Sequence, residues 1–291
     1  MPYNEDPKWQ RVTHSYPCPI CKKPDWCCVR GDGKAAYCMR VESGQPVTTG
    51  GWVHDLTTPL AASDRPPPQP KKERLPDREL NKRFAPLAHN LHRHNTKAVE
   101  RLADQLGVAR WALDVIGVGY GNVGGWCWTF PERNHHGQVI GINRRFPNGK
   151  KFAVKHSGRG LTYCDDWQSY AGPIFVVEGG TDVAACLTLG LCTIGRLSCS
   201  GGIKYLTPML SPMRDRRILI MGERDAKADG RWPGKQGAKS IWASLRKSLR
   251  RHIEWHLPPD NAKDMRDWLN SQKLDVNDRD ACFAIGRQLF R

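Results

Sequence analysis

Two apolar runs that end in acids constrain this chain more than anything else in it. The first is Ile174-Phe175-Val176-Val177-Glu178-Gly179-Gly180, followed by Thr181-Asp182. Its β-branched residues predict a buried strand, and the charge and glycines at its end predict a turn that leaves a carboxylate at the strand's C-terminal edge. The second, Ile218-Leu219-Ile220-Met221-Gly222-Glu223-Arg224-Asp225, has the same layout. Alternate residues of an extended segment share a face, which predicts that Glu223 and Asp225 look into one site together. Ligands of open α/β sheets bind outside the C-terminal ends of the strands, so the expectation is one acidic pocket of Glu178, Glu223 and Asp225. Clustered carboxylates without nearby paired cysteines suit Mg²⁺ or Mn²⁺, hard cations that take oxygen ligands. Asp182, inside the following helix, is expected to matter less.

Cysteines supply a second signal. Of 11 in the chain, five fall between Cys18 and Cys38. Cys18-x-x-Cys21 is a knuckle spacing in which two thiolates grip one zinc ion, and Cys27 or Cys28 with Cys38 completes a tetrahedron. So small a segment cannot fold on apolar burial alone, so the metal is expected to be its core.

Charge narrows the partner. Forty-five Lys and Arg against 29 Asp and Glu give a formal net charge of +16, which favours a polyanion, and nucleic acid fits better than a membrane surface. No apolar run approaches the roughly 18 residues of a membrane span. Without a signal-peptide core at the N-terminus, a cytoplasmic protein is expected.

In chain order, residues 1–56 read as the zinc ribbon. Residues 57–83, with three consecutive prolines and a Lys pair, read as a stiff linker. Residues 84–170 read as a basic α+β subdomain. Its helix carries Val99, Leu102 and Leu106 on one face and stops at Gly107; a second helix covers Ala109 to Ile116. Strands follow at Trp126 to Phe130, Val139 to Phe146 and Lys151 to Lys155, with Asn148-Gly149 as a hairpin turn. Arg144, Arg145, Lys150, Lys151 and Lys155, with Arg159 beyond, make this hairpin basic. Residues 171–291 read as the acidic α/β domain. In it the loop Ser198 to Gly202 could admit a phosphate or be an ordinary turn, and Asp229, Arg231 and Lys235 could reach the site. Gly237-Ala238-Lys239-Ser240 lacks the glycine a P-loop needs before its lysine, so no helicase motor is expected.

VVEGGTDVAACLTLG and RRILIMGERDAKADG resemble the TOPRIM domain of bacterial and phage primases, topoisomerases and some nucleases. The order of ribbon, linker, basic subdomain and acidic domain resembles bacterial and phage-type DNA primases. The resemblance implies an α/β TOPRIM domain, a parallel sheet flanked by helices, preceded by a basic α+β subdomain and a small zinc ribbon. It implies that Glu178, Glu223 and Asp225 serve catalysis and hold Mg²⁺ or Mn²⁺, with Glu223 standing where the family has Asp. Asn261-Ala262-Lys263-Asp264 is similar to a late element of such domains, which adds Asp264 as a metal ligand. Pro24-Asp25-Trp26-Cys27 resembles phage-type primase ribbons in which the cysteine after the tryptophan is the ligand, which selects Cys27 beside Cys18, Cys21 and Cys38. The segment GQVIGINRRFPNGKKFAVKHSGRGL resembles the stretch whose bases hold template and nucleotide phosphates, assigning that role to Arg144, Arg145, Lys151, Lys155 and Arg159. The implied activity is primer synthesis from NTPs on single-stranded DNA, alongside a separate replicative helicase. The alternatives are a TOPRIM nuclease and a catalytically silent DNA-binding replication factor.

Overall fold

The computed structural model describes residues 9–47, 50–67, 74–198, 201–228 and 230–289. The chain divides into two compact units, residues 1–73 and 74–291.

The first unit is a four-stranded antiparallel sheet of β1 (Trp9–Arg11), β2 (Cys28–Arg30), β3 (Ala35–Cys38) and β4 (Trp52–Asp55), paired in sequence order. Its core is small: Val12 and Val29 pack with Cys18, Cys27 and Cys38. The unit also reaches past residue 56. Leu60 donates its N–H to Gly33 O at 3.0 Å, and Arg65 Nη1 donates to Gly31 O. The first part of the expected linker therefore belongs to this unit. The Pro-rich stretch from residue 68 to 73 lies outside the described residues.

The second unit opens with α1 (Asp77–Arg93), whose first turns occupy the other end of the expected linker. Pro86 argues against a helix there, but Leu80, Phe84 and Ala88 recur every four residues and are buried, and that stripe decides the outcome. Next come α2 (Thr96–Leu106), ended by Gly107 at φ +63°, and α3 (Arg110–Val115). An antiparallel meander follows: β5 (Gly119–Asn122), β6 (Trp126–Arg133), β7 (Val139–Arg145) and β8 (Lys151–Ala153). The predicted turn closes β7 onto β8, with Gly149 N donating to Phe146 O at 2.8 Å.

The rest is a right-through parallel sheet with helices: β9 (Ile174–Glu178), α4 (Gly179–Thr188), β10 (Cys192–Arg196), α5 (Ile203–Leu210), β11 (Ile218–Met221), α6 (Pro233–Leu249), β12 (Glu254–His256), α7 (Met265–Ser271) and α8 (Arg279–Gln288). The strand order is β10-β9-β11-β12, and every neighbouring pair is parallel. The chain first steps from β9 to β10 on one side, then crosses to β11 on the other. The place where the order reverses lies between β9 and β11, and ligands collect at the C-terminal ends of such strands.

The two sheets are stitched together. Leu161 exchanges hydrogen bonds with Arg133 at 2.7 Å each way, and Thr162 does the same with Gly195 at 3.0 and 2.7 Å. One continuous apolar core runs from Leu80 to Leu269, so residues 84–170 and 171–291 share an interior. No helix among the described residues is long and apolar enough to cross a membrane.

Candidate active site

The reversal point holds a cleft of about 390 Å³. Glu178 stands at the end of β9, where Gly179, at φ +73°, turns the chain at once into α4. A side chain is strained in that conformation, and glycine relieves it. One helical turn on, Asp182 faces the same cleft and is only 4% exposed. Glu223 enters from beyond β11, and Asp264, buried at the start of α7, enters from the third segment. The lining is also basic, with Arg144, Arg145 and Lys151 from the meander and Lys263 and Arg266 beside Asp264.

This crowding has electrostatic consequences. Burial, then the charges of Glu178 and Asp264, push the Glu223 carboxyl up to about 7, with Lys263 opposing and Asp225 adding. Asp182 is pushed well above the ordinary carboxylate range, first by burial and then by Asp264 and Glu223. The Lys151 ammonium is pulled down by desolvation and by Arg145, against Asp182 and Glu223. As a residue Lys151 is exposed; its charged end is what the cleft walls desolvate.

Three expected site residues sit differently. Asp225 does not line the cleft: its Oδ1 accepts from Gly234 N at 2.8 Å at the start of α6. Asp225 nevertheless stays beside Glu223: a Cβ placed on Gly234 would lie 2.7 Å from Glu223 Cβ and 3.0 Å from Asp225 Oδ1. Arg159 is held by the buried Glu132, Nε to Oε2 at 2.8 Å and Nη2 to Oε1 at 2.9 Å. Lys155 is exposed and away from the cleft lining. Arg144 reaches the lining, yet its guanidinium donates to Val123 O at 2.7 Å and Ala153 O at 3.2 Å. The Arg145 side chain makes no ion pair or hydrogen bond among the described residues, and burial followed by the charge of Arg266 lowers its proton affinity. Asp229 and the centre of the Ser198 to Gly202 loop lie outside the described residues; Arg231 and Lys235 do not line the cleft.

The cysteine group is tighter. The sulfurs of Cys18, Cys21, Cys27 and Cys38 lie within 4.8 Å of one another, and they are the only such convergence of potential ligands among the described residues. Cys27 turns into the group; Cys28 does not. Cys21 and Cys27 are 3.7 Å apart and Cys27 and Cys38 4.0 Å, against an edge of about 3.8 Å for a ZnS₄ tetrahedron with bonds of about 2.3 Å. The backbone N–H groups of Met39, Arg40 and Val41 point at these sulfurs from 3.4 to 3.5 Å, donors suited to thiolates. The set fits zinc in number, softness and spacing.

Comparison with solved structures gives the fold a precedent. The DnaG catalytic core matches with a TM-score of 0.51 at 16% identity, over 66% of this chain and 76% of that one. The fold is that of a primase catalytic core. Also matched are the E. coli primase catalytic core (TM-score 0.49, 15% identity, 71% of this chain and 79% of that one) and the primase fragment of the bacteriophage T7 primase-helicase protein (0.45, 16%, 94% and 99%). No family model matches the sequence, and no curated protein does.

Sequence reasoning missed the depth of Asp182 and the part played by Lys263 and Arg266. The i to i+4 spacing of Glu178 and Asp182 was a usable signal, since it stacks the two along one line at the strand-to-helix turn. For Lys263 and Arg266 only their flanking of Asp264 could have pointed to the cleft.

Proposed function

We propose that the chain is a DNA-templated primase of the TOPRIM type, joining ribonucleotides into short primers on single-stranded DNA. One observation carries the reading: at the reversal point of a parallel sheet, Glu178, Asp182, Glu223 and Asp264 share one cleft with Arg145, Lys151, Lys263 and Arg266. A nuclease needs the acids alone. The added wall of cations suits a second polyanion, the triphosphate of an incoming nucleotide, held beside the template. The shared fold with a primase core supports the same reading.

The acids offer only oxygen, and burial followed by mutual repulsion raises the proton affinities of Asp182 and Glu223, a strain that a cation would relieve. That donor set fits Mg²⁺ or Mn²⁺ held by Glu178, Glu223 and Asp264, a cation that when bound neutralises the triphosphate and makes the attacking 3′-hydroxyl more acidic. Arg145, Lys151 and Arg266 hold phosphate oxygens and orient the nucleotide. Asp225 anchors the start of α6 and adds a smaller contribution, behind burial, Glu178 and Asp264, to the raised Glu223 carboxyl. The cysteine knuckle, with Arg40 donating to Cys21 and Cys27 at 3.8 and 3.7 Å, holds zinc and presents a basic surface to the template. A replicative helicase is a separate partner.

The test is incubation of the protein with single-stranded DNA, the four NTPs and Mg²⁺ or Mn²⁺. Short labelled products that require both template and metal are expected. Degraded template without products would instead assign the cleft to a nuclease, and neither outcome would leave a DNA-binding factor.

A further inference from the structure

Trp126 is 57% exposed at the start of β6, an expensive place for the largest apolar side chain unless something covers it. Its indole stacks on Tyr120, with ring centroids 5.5 Å apart and planes 23° from parallel. Tyr120 in turn meets Trp128 at 5.6 Å, and Trp128 is buried and fixed by an Nε1–H donated to Ala98 O at 2.7 Å. The aromatic group is thus rigid at its base and open at its top. Its position is pinned from the other side as well: Arg144 donates to Val123 O, and Asn122 Oδ1 accepts from Gly125 N at 3.0 Å, so the turn leading into Trp126 is held at both ends.

Register relates this group to the cleft. Tyr120 pairs with Trp128, Trp128 with Arg145, and Arg145 with Lys151. Directly paired residues share a face, so an aromatic-to-basic row crosses the meander and ends at the two cations that line the acidic cleft. Trp126 lies on the diagonal from Arg145, a separation of about 7–8 Å between such positions. That is close to the reach of one nucleotide between a base and its phosphate.

We propose that Trp126, backed by Tyr120, is a stacking platform for a base of single-stranded nucleic acid whose phosphate is held by Arg145 or Lys151. This rests on the reading of the cleft as a primase site and adds how the template strand is held open beside it. Stacking is tolerant of sequence because every base has a flat face, and the basic row supplies the charge complement. The platform would hold an unpaired base, leaving its neighbour free to face the cleft.

The test uses the full chain and a fluorescently labelled oligo-dT without NTPs, followed by anisotropy across a salt series. Trp126→Ala should weaken binding by about 5- to 100-fold, the loss of one stacked base, with the slope against salt unchanged because no phosphate contact is removed. Trp126→Phe should recover most of the affinity. Arg145→Ala should instead reduce the slope by about one unit. Equal affinity for Trp126→Ala and the parent overturns the platform, and so does a Trp126→Phe protein as weak as the alanine variant. If the parent primes while Trp126→Ala binds normally, the platform fails and the primase reading stands. If Trp126→Ala is weakened but the parent makes no primer, the reverse holds. A parent that does not bind oligo-dT overturns both.

Discussion

In the first unit four identical donors lie within 4.8 Å of one another around a closed centre, whereas in the second unit four carboxylates from three segments share a cleft with interleaved Arg and Lys and do not converge to that distance. The difference follows from the chemistry each arrangement suits. Zinc in a closed sulfur site is a structural element and wants no vacancy. A Mg²⁺-type ion keeps several waters, meets one or two carboxylates and completes its shell with substrate phosphates. Convergence therefore marks the centre that folds the chain, and dispersal among cations marks the centre that exchanges ligands.

The largest expected effect lies on the convergent side. Chelation, or Cys18→Ser, should remove one zinc per chain and with it the amide protection of residues 9–55, since apparent zinc-binding energies of about 10–16 kcal/mol are folding energy in such sites. Elemental analysis and hydrogen exchange read both changes, and the protection of α4 and β9 to β11 should be untouched. Purified protein without zinc that retains protection across β2 and β3 would break the comparison at its first term.

Next come the dispersed acids. Glu178→Gln, Glu223→Gln and Asp182→Asn should each reduce metal-dependent primer synthesis by about 100-fold or more, the loss of several kcal/mol of charge stabilisation. Asp182→Asn should also raise the melting temperature of metal-free protein, because it removes a carboxyl whose ionisation is opposed by burial and then by Asp264 and Glu223. Asp225→Asn should be the mildest, since an amide oxygen can still accept from Gly234 N. An Asp225→Asn protein more impaired than Asp182→Asn would show that the open cleft gathers around the wrong acid.

The smallest effect is a pH dependence. Folding raises the Glu223 carboxyl from 4.5 to about 7, so between those values the folded state holds the additional proton. Its contribution is therefore fully present at the acid end and is lost as pH rises through 7. Metal-free protein should melt at a lower temperature at pH 8 than at pH 5, and Glu223→Gln should flatten that difference. Mg²⁺ should stabilise the parent more at pH 8, where no proton competes for the carboxylate. An equal Mg²⁺ effect at both pH values would separate Glu223 from the metal.

The same contrast explains what could be read from sequence. The cysteine group is almost entirely local, with four ligands spread over Cys18 to Cys38, so spacing announces it. Strands β9 and β11 were equally legible because apolar runs ending in glycine and acid have few other uses. The cleft as a whole was not, because Asp182, Glu223 and Asp264 meet only when the sheet order is known. Asp225 illustrates the limit: period-two alternation puts it beside Glu223, but nothing in the sequence tells that its carboxylate is taken by Gly234 N at the start of α6. Helix α1 hid behind Pro86 and a Pro-rich neighbour, although its every-fourth-residue stripe was present.

The seam at Leu161 and Thr162 bears on how the chain can be divided. β10 is the outer strand of the parallel sheet, and its Gly195 is covered by Thr162. A fragment starting near residue 171 would leave the Gly195 N–H and C=O bare on the apolar outer strand, an opening of the kind on which foreign strands add and aggregates grow. The meander thus serves as a guard for the acidic half of the molecule, and expression of that half alone would select for self-association rather than for an isolated catalytic core.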